Sequence, residues 1–438
     1  MLKIIDIRDG GDNELFGKLV SRSQLDQVDV LRTVNDIIDN IRKNGDNAVF
    51  EYTRRFDGVE INAESLKVAP EEFEQAYGKV DRELVEVIRR AKARIEAFHV
   101  KQRENSWFSN EEDGVILGQL YRPLETVGIY VPGGTAVLTS SVLMNALPAK
   151  VAGVNRIIMA TPPAKDGSVN PAVLVAAREA GVDEVYKMGG AQAIAAMAFG
   201  TRTVPRVDKI FGPGNIYVAT AKRMVYGFCD IDMFAGPSEI MVVADDTANP
   251  GFVAADLLSQ AEHDVLSAAI LVTTSQRMAE SVIAEIERQF STLSRKGILE
   301  KSLSDYGAAV LVKDMEQAME VVNTIAPEHL ELCIEEPFSR LGSVKNAGAI
   351  FLGNWSSEPL GDYFAGPNHV LPTGGTARFF SPLNVADFIK KSSIISYTRK
   401  ALEKVKDDII LFARSEGLDG HANAIAERFR LHQKGEPN

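Results

Sequence analysis

Short apolar runs alternate with helical patterns from about Val115 onward, and this alternation restricts the chain to an α/β fold. The runs ETVGIYVPGG, RIIMATPP and KIFGPGN each lead through a turn rich in glycine or proline into a helical pattern. The same order returns after the turn GPSE, with EIMVVAD, AAILVTT, GAAVLVKD and AGAIFLG as candidate strands. Repeated strand, turn and helix are typical of a mostly parallel sheet covered by helices. The sequence therefore predicts two α/β units built alike.

The two ends of the chain carry a helical pattern instead. Residues 1 to about 120 are mainly polar, with apolar residues at a helical period, so we predict amphipathic helices there. From Ser381 the pattern again predicts helices, beginning near Pro382 and continuing around Gly417 and Gly420. A segment as short as this one buries little core alone. We therefore expect it to pack on the body of the protein or on a second subunit.

Composition and charge exclude several classes of protein. The chain has 45% hydrophobic and 25% charged residues, and 48 basic against 60 acidic side chains give a net charge of −12. Because there is no Lys/Arg-rich tract and no apolar run of about 20 residues, we expect neither nucleic acid nor a membrane as partner. The charged N-terminus does not resemble a secretory signal, and Cys229 and Cys333 form no CxxC pattern. We predict a soluble, cytoplasmic protein.

Three glycine-rich turns follow candidate strands, at Val131–Gly134, Met188–Ile194 and Phe211–Asn215. In open α/β sheets ligands bind beyond the carboxyl ends of the strands, where the first N–H groups of a helix are free to bind phosphate. The complete G-x-G-x-x-G fingerprint is absent, because Tyr217 stands where the third glycine is expected. The turns indicate a nucleotide-like ligand, but glycines that serve only the chain reversal explain them equally well.

Four of the six histidines lie in motifs that also contain glycine or acidic residues. Gln260 and His263 are three residues apart at the end of a predicted helix, so an amide oxygen and an imidazole can reach one point in space. In IAPEHLEL, Glu328 and His329 offer a carboxylate beside a base that titrates near neutrality. We place the pair on a helix, where adjacent side chains point about 100° apart and would serve different faces of a site. Each motif alone is also compatible with helix capping or a solvated surface.

Two further polar motifs lie towards the end of the chain. The loop over residues 358–379 is rich in glycine and proline and contains Asp362 and His369, and loops of this kind frequently line a site. Glu416 and His421 stand in SEGLDGHANAI, at the start of the last predicted helix. A set of imidazole, carboxylate and amide groups without thiolate fits a borderline metal such as zinc.

Taken in order, these motifs resemble the histidinol dehydrogenase family along nearly the whole chain. The resemblance includes YVPGG, GGAQAIAA, FGPGN, AGPSE, DLLSQAEHD, APEHLEL, GDYFAGPNHVLPT and EGLDGHA. It implies zinc- and NAD-dependent oxidation of L-histidinol to L-histidine via L-histidinaldehyde, the last steps of histidine biosynthesis.

The resemblance also implies a role for individual residues. Glu328 and His329 fall on the catalytic positions of the family. One zinc ion per subunit is expected, with the ligands Gln260, His263, Asp362 and His421. NAD contacts are expected at Tyr130, Gln192 and Asn215. Substrate contacts are expected at Ser238, Gln260, His263, His329, Asp362, His369, Glu416 and His421.

The architecture that the resemblance implies is two incomplete Rossmann-like domains with parallel sheets, plus small helical N- and C-terminal segments that pack in a homodimer. The first domain is expected to combine residues 26–129 with 238–381, and the second, NAD-binding domain to cover 130–237. Residues 1–25 are expected to serve dimerisation and residues 382–438 to form the C-terminal helical domain. Each site is expected to be completed by the partner subunit, which supplies His421.

Two other functions remain open beside histidinol oxidation. The first is a paralogue that oxidises another small alcohol with the same zinc and NAD machinery. The second, from a different class, is a zinc hydrolase in which Glu328 activates a water molecule. Binding of NAD at the three turns separates the hydrolase from the dehydrogenases, and the presence of Ser238, His369 and Glu416 favours histidinol over another alcohol. A non-catalytic scaffold would not need Glu328 and His329 beside a full set of metal ligands.

Overall fold

A computed structural model describes residues 2–10, 17, 28–133, 138–233 and 236–430. The N-terminal dimerisation segment predicted for residues 1–25 lies largely outside the described residues, as does Gly134 in the first glycine-rich turn. The contacts divide the chain into two units. The first combines Met1–Arg103 with Pro123–Phe388, and the second combines Glu104–Arg122 with Ile389–Asn438. The four-segment domain division drawn from the resemblance stays a prediction.

The strands are numbered in chain order. They are β1 (Lys3–Asp6), β2 (Trp107–Ser109), β3 (Val115–Pro123), β4 (Thr126–Tyr130), β5 (Arg156–Thr161), β6 (Glu184–Lys187), β7 (Lys209–Phe211), β8 (Asp230–Ile231), β9 (Glu239–Ala244), β10 (Ala268–Thr273), β11 (Gly307–Leu311), β12 (His329–Cys333), β13 (Ala349–Leu352) and β14 (Ile389–Tyr397).

The longer helices follow the same convention. They are α1 (Val28–Asn44), α2 (Asp46–Tyr52), α3 (Pro70–Lys79), α4 (Arg82–His99), α5 (Thr139–Ala152), α6 (Pro171–Ala180), α7 (Gly190–Phe199), α8 (Ile216–Val225), α9 (Pro250–Ala261), α10 (Gln276–Phe290), α11 (Lys296–Tyr306), α12 (Met315–Ile325), α13 (Arg399–Ser415) and α14 (Asp419–Arg430). Two π-helical turns cover Thr53–Asp57 and Gly361–Ala365.

A parallel sheet with the strand order β6-β5-β4-β7-β8 lies in the first unit. Strand β4 is the switch point of this sheet, because β5 follows on one side and β7 on the other. Successive residues of β4 point to opposite faces. Val127 and Ile129 pack with α4, α5 and α6, whereas Tyr130 packs with α1, α2 and α7. Helices therefore cover both faces, as a parallel sheet requires.

The second sheet of this unit is also parallel and has the order β1-β11-β10-β9-β12-β13. Its central strand β9 is buried along its whole length. Ile240 and Val242 pack towards α9 and α10, whereas Met241 and Val243 pack towards α12. The predicted α/β class with two parallel sheets is confirmed.

The prediction that residues 1 to about 120 are mainly helical is wrong at β2 and at the start of the chain. Residues Lys3–Asp6 form β1, which pairs in parallel with β11 through the register Lys3 to Ala308. So short an apolar run shows no periodicity of its own, and its partner lies roughly 300 residues away in sequence. Only the tertiary fold identifies it as a strand.

The second unit contains a three-stranded sheet with the order β14-β3-β2, followed by α13 and α14. The helix predicted to begin near Pro382 is wrong. A 3₁₀ turn at Val385–Phe388 leads directly into β14, whose Ile and Ser residues are weak helix formers. The two helices predicted around Gly417 are confirmed as α13 and α14. Gly417 adopts φ 74°, a left-handed conformation of the kind that ends a helix, and so separates the two.

No helix in the described part of the chain is long and apolar enough to cross a membrane.

Candidate functional site

Glu328 and His329 stand at the start of β12, not on a helix as predicted. Helix α12 ends at Ala326, which has φ 54°, and Pro327 follows it, so the helix cannot continue. The backbone N–H of Glu239 at the start of β9 donates to Glu328 Oε2 at 2.9 Å. His329 Nδ1 lies 3.1 Å from the carbonyl oxygen of Glu239 and 3.8 Å from Glu328 Oε2. Two adjacent strands therefore fix both side chains at the amino edge of the six-stranded sheet.

Asp362 is placed between two histidines by the π-helical turn Gly361–Ala365, and turns of this type occur frequently at functional sites. Its Oδ1 lies 3.9 Å from His329 Nε2 and 3.8 Å from His369 Nδ1. The Nδ1–H of His369 donates to the carbonyl oxygen of Asp362 at 3.1 Å, and His369 Nε2 lies 3.5 Å from the hydroxyl of Ser141. The structure thus brings Asp362, His369, Glu328 and His329 together.

Gln260 lies in the last turn of α9, and His263 follows the end of that helix, as the spacing predicted. The backbone N–H of His263 donates to the carbonyl oxygen of Gln260 at 3.2 Å. Gln260 is completely buried, and neither atom of its amide has a hydrogen-bond partner among the described residues. Burial lowers the pKa of His263, and the charge of Asp362 opposes this shift. An unpaired buried amide costs free energy, so it indicates a missing ligand.

The pKa values in this cluster reflect burial and close charges. Burial raises the pKa of Glu328 to about 7, although the charge of His329 opposes this effect. Burial alone lowers the pKa of His329, but Glu328 and Asp362 together raise it to about 10. Burial and the charge of Asp362 raise the pKa of Glu358 to about 8. The cluster therefore carries an excess of buried carboxylates, whose charge a divalent cation would offset.

A second possible ligand set includes Glu358. Within the described residues, His329, Glu358 and Asp362 bring ligand atoms within 4.8 Å of one another. This set shares only Asp362 with the four ligands that the resemblance implies. Glu358 is buried and accepts a hydrogen bond from the hydroxyl of Ser259 at 3.1 Å. Glu358 is not among the predicted site residues, because nothing in the sequence around the short helix Glu358–Leu360 shows which carboxylate turns inward.

The remaining residues predicted to contact substrate lie in different places. Ser238 directly precedes β9 and is half-buried, and its carbonyl oxygen accepts from the N–H of Ala268 at 3.0 Å. Glu416 follows α13 and His421 lies in the first turn of α14, both in the second unit and both exposed there. Their predicted contacts with substrate and metal stay predictions.

The three residues predicted to bind NAD lie at the carboxyl edge of the five-stranded sheet. Tyr130 ends β4, and its hydroxyl accepts from the N–H of Gly190 at 3.0 Å. Gln192 in α7 is buried, and its amide has no partner among the described residues. Asn215 caps α8, where its Oδ1 accepts from the N–H groups of Tyr217 and Val218. Two helix N-termini therefore stand beside the switch point.

A buried ion pair fixes the turn that contains Asn215. Lys222 and Asp232 are paired inside the protein, with side chains 3% and 1% exposed. The Lys222 ammonium donates to the carbonyl oxygen of Gly212 at 2.9 Å, and the N–H of Gly212 donates to Asp232 Oδ2 at 2.8 Å. Gly212 has φ 108° and lies so close to the carbonyl group of Tyr130 that a Cβ atom has no room. These contacts hold the turn close to the end of β4.

Comparison with known proteins agrees with this arrangement. The family model for histidinol dehydrogenase matches residues 20–429. A histidinol dehydrogenase from Clostridium acetobutylicum is 56% identical over 97% of this chain and 98% of its own length. One from Bacillus subtilis is 58% identical over 92% of this chain and 94% of its own length.

The fold gives the same assignment. The crystal structure of histidinol dehydrogenase from Elizabethkingia anophelis superposes with a TM-score of 0.93 and 38% identity, and 99% of each chain is covered. Both the sequence match and the structural match extend over nearly the whole chain. The chain belongs to the histidinol dehydrogenase family.

Proposed function

We propose that the protein oxidises L-histidinol to L-histidine through L-histidinaldehyde, with zinc and NAD⁺, as a cytoplasmic enzyme of histidine biosynthesis. The observation that carries the proposal is the buried pair of Glu328 and His329 beside Asp362, in a chain of this family. Conversion of an alcohol to a carboxylate removes four electrons, so one histidinol and one water reduce two NAD⁺ and release three protons. NAD⁺, when bound, accepts the hydride in each oxidation.

His329 is the proposed general base for the alcohol. If its Nδ1–H donates to the carbonyl oxygen of Glu239, the imidazole is held in one tautomer with Nε2 free to accept the proton. His329 Nε2 is buried and has no hydrogen-bond partner among the described residues. Glu328 and Asp362, which raise the pKa of His329, stabilise the imidazolium that forms when Nε2 takes the proton. A cation held by Asp362 would offset the charge of that carboxylate and so leave the imidazole neutral before the reaction. A base positioned in this way typically contributes a factor of about 10² to 10⁴ to the rate.

Glu328 is the proposed base for the second oxidation. The aldehyde must take up water before it can lose a second hydride, and the proton of that water needs an acceptor. One oxygen of Glu328 accepts a hydrogen bond from the N–H of Glu239, which orients the carboxylate. Because Glu328 lies beside His329, the two bases serve successive steps on one bound substrate.

The residues present fit a zinc ion. The unpaired amide of Gln260 and the excess of buried carboxylates both indicate a cation in this cluster. We propose Gln260, His263, Asp362 and His421 as its ligands. A zinc ion held by these residues would orient the substrate for reaction. Ser238, His369 and Glu416 complete the proposed substrate contacts.

The active form is proposed to be a homodimer in which His421 of one subunit completes the site of the other. The second unit exposes several large apolar side chains, which on a soluble protein indicate a covered surface. They include Ile395, Tyr397, Leu411, Phe412 and Leu418.

Mixing two inactive variants tests the shared site. Glu416→Ala and His329→Ala subunits are each expected to be inactive, but their mixture should recover activity, because one of the two sites in a mixed dimer keeps all its residues. Initial rates after refolding together measure the recovery, with each variant refolded alone as control. A mixture no more active than its components contradicts a site shared between subunits.

The product ratio tests the function itself. We expect two NADH for each L-histidinol consumed by zinc-loaded protein with excess NAD⁺, and loss of activity on chelation that zinc restores. Absorbance of NADH together with chromatographic assay of histidinol and histidine measures the ratio. One NADH with free aldehyde contradicts the four-electron reaction, and turnover of a different alcohol instead of histidinol identifies a paralogue. Hydrolysis of an ester or amide without NADH identifies the hydrolase.

A further inference from the structure

Glu239 carries a buried carboxylate that takes no part in the proposed mechanism. It opens β9 directly after Ser238, and the residue is 4% exposed. Its Oε1 accepts a hydrogen bond from the N–H of Gly374 at 3.1 Å. Burial of a carboxylate costs free energy unless hydrogen bonds replace its lost hydration. A carboxylate at this place therefore calls for an explanation.

The backbone of Glu239 holds both proposed bases. Its N–H donates to Glu328 Oε2 at 2.9 Å, and its carbonyl oxygen lies 3.1 Å from His329 Nδ1. These two groups belong to the peptide bonds on either side of one Cα atom, so a rotation at Glu239 displaces both bases together. The side chain leaves the same Cα atom. Its bond to Gly374 therefore restrains the backbone that aligns Glu328 and His329.

The segment that meets Glu239 is a tight turn. Residues 373–376 read TGGT, and the two glycines have φ 61° and 77°, a left-handed conformation that favours glycine. This turn directs the N–H of Gly374 to the Glu239 carboxylate. The hydroxyl of Thr373 accepts a second bond from the N–H of Gly236 at 2.6 Å. The TGGT turn is thus fastened to the start of β9 and to the residues just before it.

His369 lies in the same loop but has supports of its own. The side-chain amide of its neighbour Asn368 donates to the carbonyl oxygen of Met144 at 2.7 Å. The carbonyl oxygen of Val370 accepts from the N–H of Leu383 at 2.9 Å. Loss of the bond at the TGGT turn should therefore leave His369 in place.

We propose that Glu239 is a positioning residue for both oxidation steps, because its bond to the TGGT turn holds the backbone that aligns Glu328 and His329. The inference rests on the proposed function, since it takes those two residues as the bases. A hydrogen bond from an N–H group to a carboxylate is roughly twice as strong as one to a neutral acceptor. An acid of this length therefore holds the turn better than an amide or a shorter acid.

Three variants separate the hydrogen bond from the charge. Glu239→Asp keeps the charge but is one methylene group too short to reach Gly374, Glu239→Gln keeps the reach without the charge, and Glu239→Ala removes both. In zinc-loaded protein with saturating histidinol and NAD⁺, kcat should fall about 10- to 100-fold in the Asp and Ala variants, because small displacements of a reacting group are this costly. The Gln variant should recover most of that loss. KM for both substrates should change little.

The two oxidations provide a second measurement. Histidinol and histidinaldehyde are assayed as separate substrates by NADH formation. Because one stretch of backbone holds both bases, the two rates should fall by a similar factor in Glu239→Asp, with no release of aldehyde from histidinol. Loss of Glu328 alone is expected to slow only the second step. A fall confined to one step in Glu239→Asp contradicts a common positioning role.

The charge of Glu239 gives the competing explanation. Burial raises the pKa of Glu328, and the charge of Glu239 adds to the rise. If this charge were the reason for the carboxylate, Glu239→Gln would lose more activity than Glu239→Asp. That order overturns the proposal, as does an unchanged kcat in Glu239→Asp and Glu239→Ala.

Asp245→Ala is the matched control. Asp245 follows the other end of β9, where its Oδ2 accepts from the N–H of Glu335 at 2.9 Å. The variant removes the same kind of bond at the opposite edge of the sheet, so it should keep its kcat. Thermal unfolding and zinc analysis show that each variant is folded and loaded. If Glu239→Ala does not fold, the comparison of Glu239→Asp with Glu239→Gln still decides.

The two levels of inference fail in different ways. If the unchanged protein produces two NADH per histidinol but Glu239→Asp is equally active, only the role of Glu239 is wrong. If the unchanged protein produces no NADH from histidinol, the proposed function is wrong, whatever the variants do.

Discussion

Replacement of His329 by glutamine lowers kcat for histidinol oxidation by about 10²- to 10⁴-fold, the range expected for loss of a general base. Glutamine keeps a polar group that can bond to the carbonyl oxygen of Glu239, where His329 Nδ1 now lies at 3.1 Å. It has no group that accepts a proton near neutral pH. The loss should therefore appear in kcat, measured by NADH formation at saturating histidinol and NAD⁺, with KM little changed.

Zinc content is the control for this variant. If His329 acts as a base and not as a ligand, His329→Gln keeps its zinc, as metal analysis after gel filtration would show. Loss of both zinc and activity would contradict the proposed role and favour the cluster of His329, Glu358 and Asp362 as the metal site. Glu328→Gln is the paired variant, and it should stop the reaction after one NADH, with the aldehyde accumulating.

Replacement of Gln260 by alanine removes a proposed ligand and should release the zinc. Loss of an outer-shell partner costs about 10- to 100-fold in metal affinity, so loss of a direct ligand should cost more than that. The Gln260 amide is buried without a partner in the described structure, so its removal breaks no other hydrogen bond seen there. Competition with a chromophoric chelator measures the affinity, and histidinol oxidation should fall in parallel.

Glu358→Gln separates the two possible ligand sets. Carboxylate oxygens of Glu358 and Asp362 lie within 4.8 Å of each other in the described structure. As a neighbour of a ligand, Glu358 should therefore affect zinc affinity by no more than about 100-fold. As a ligand itself, it should affect the affinity more than Gln260→Ala does. Full retention of zinc in Gln260→Ala, with loss in Glu358→Gln, would contradict the four ligands drawn from the resemblance.

The sequence predicted the elements whose signal is local. Strands β4, β5, β7, β9, β10, β11 and β13 are predicted short apolar runs between turn residues, whereas β8 and β12 were not predicted. The residue pair Gln260 and His263 lies at the end of a helix, as its spacing indicated. The sequence did not predict β1 or β14, because each owes its strand conformation to a partner far away in the chain. Their residues carry no period that separates strand from helix.

The candidate site could be predicted only in part, because tertiary packing also determines which of its side chains come together. Glu328 and His329 were identified as a pair, but the helical geometry assigned to them was wrong because Ala326 and Pro327 end the helix before them. Glu358 was missed, since tertiary packing and not a local pattern brings it beside Asp362 and His329. The roles of the other residues at the site stay predictions that the variants above can test.

The pairing of β1 with β11 has a consequence for how the chain is made. Lys3 leaves the ribosome roughly 300 residues before its partner Ala308. At a synthesis rate of about 5–20 residues per second, about 15 to 60 s pass between the synthesis of β1 and that of its partner β11. The five-stranded sheet, whose strands all lie between Thr126 and Ile231, can close during that time. Until β11 emerges, the first strand is an unpaired β segment, which is the kind of segment that chaperones protect from aggregation.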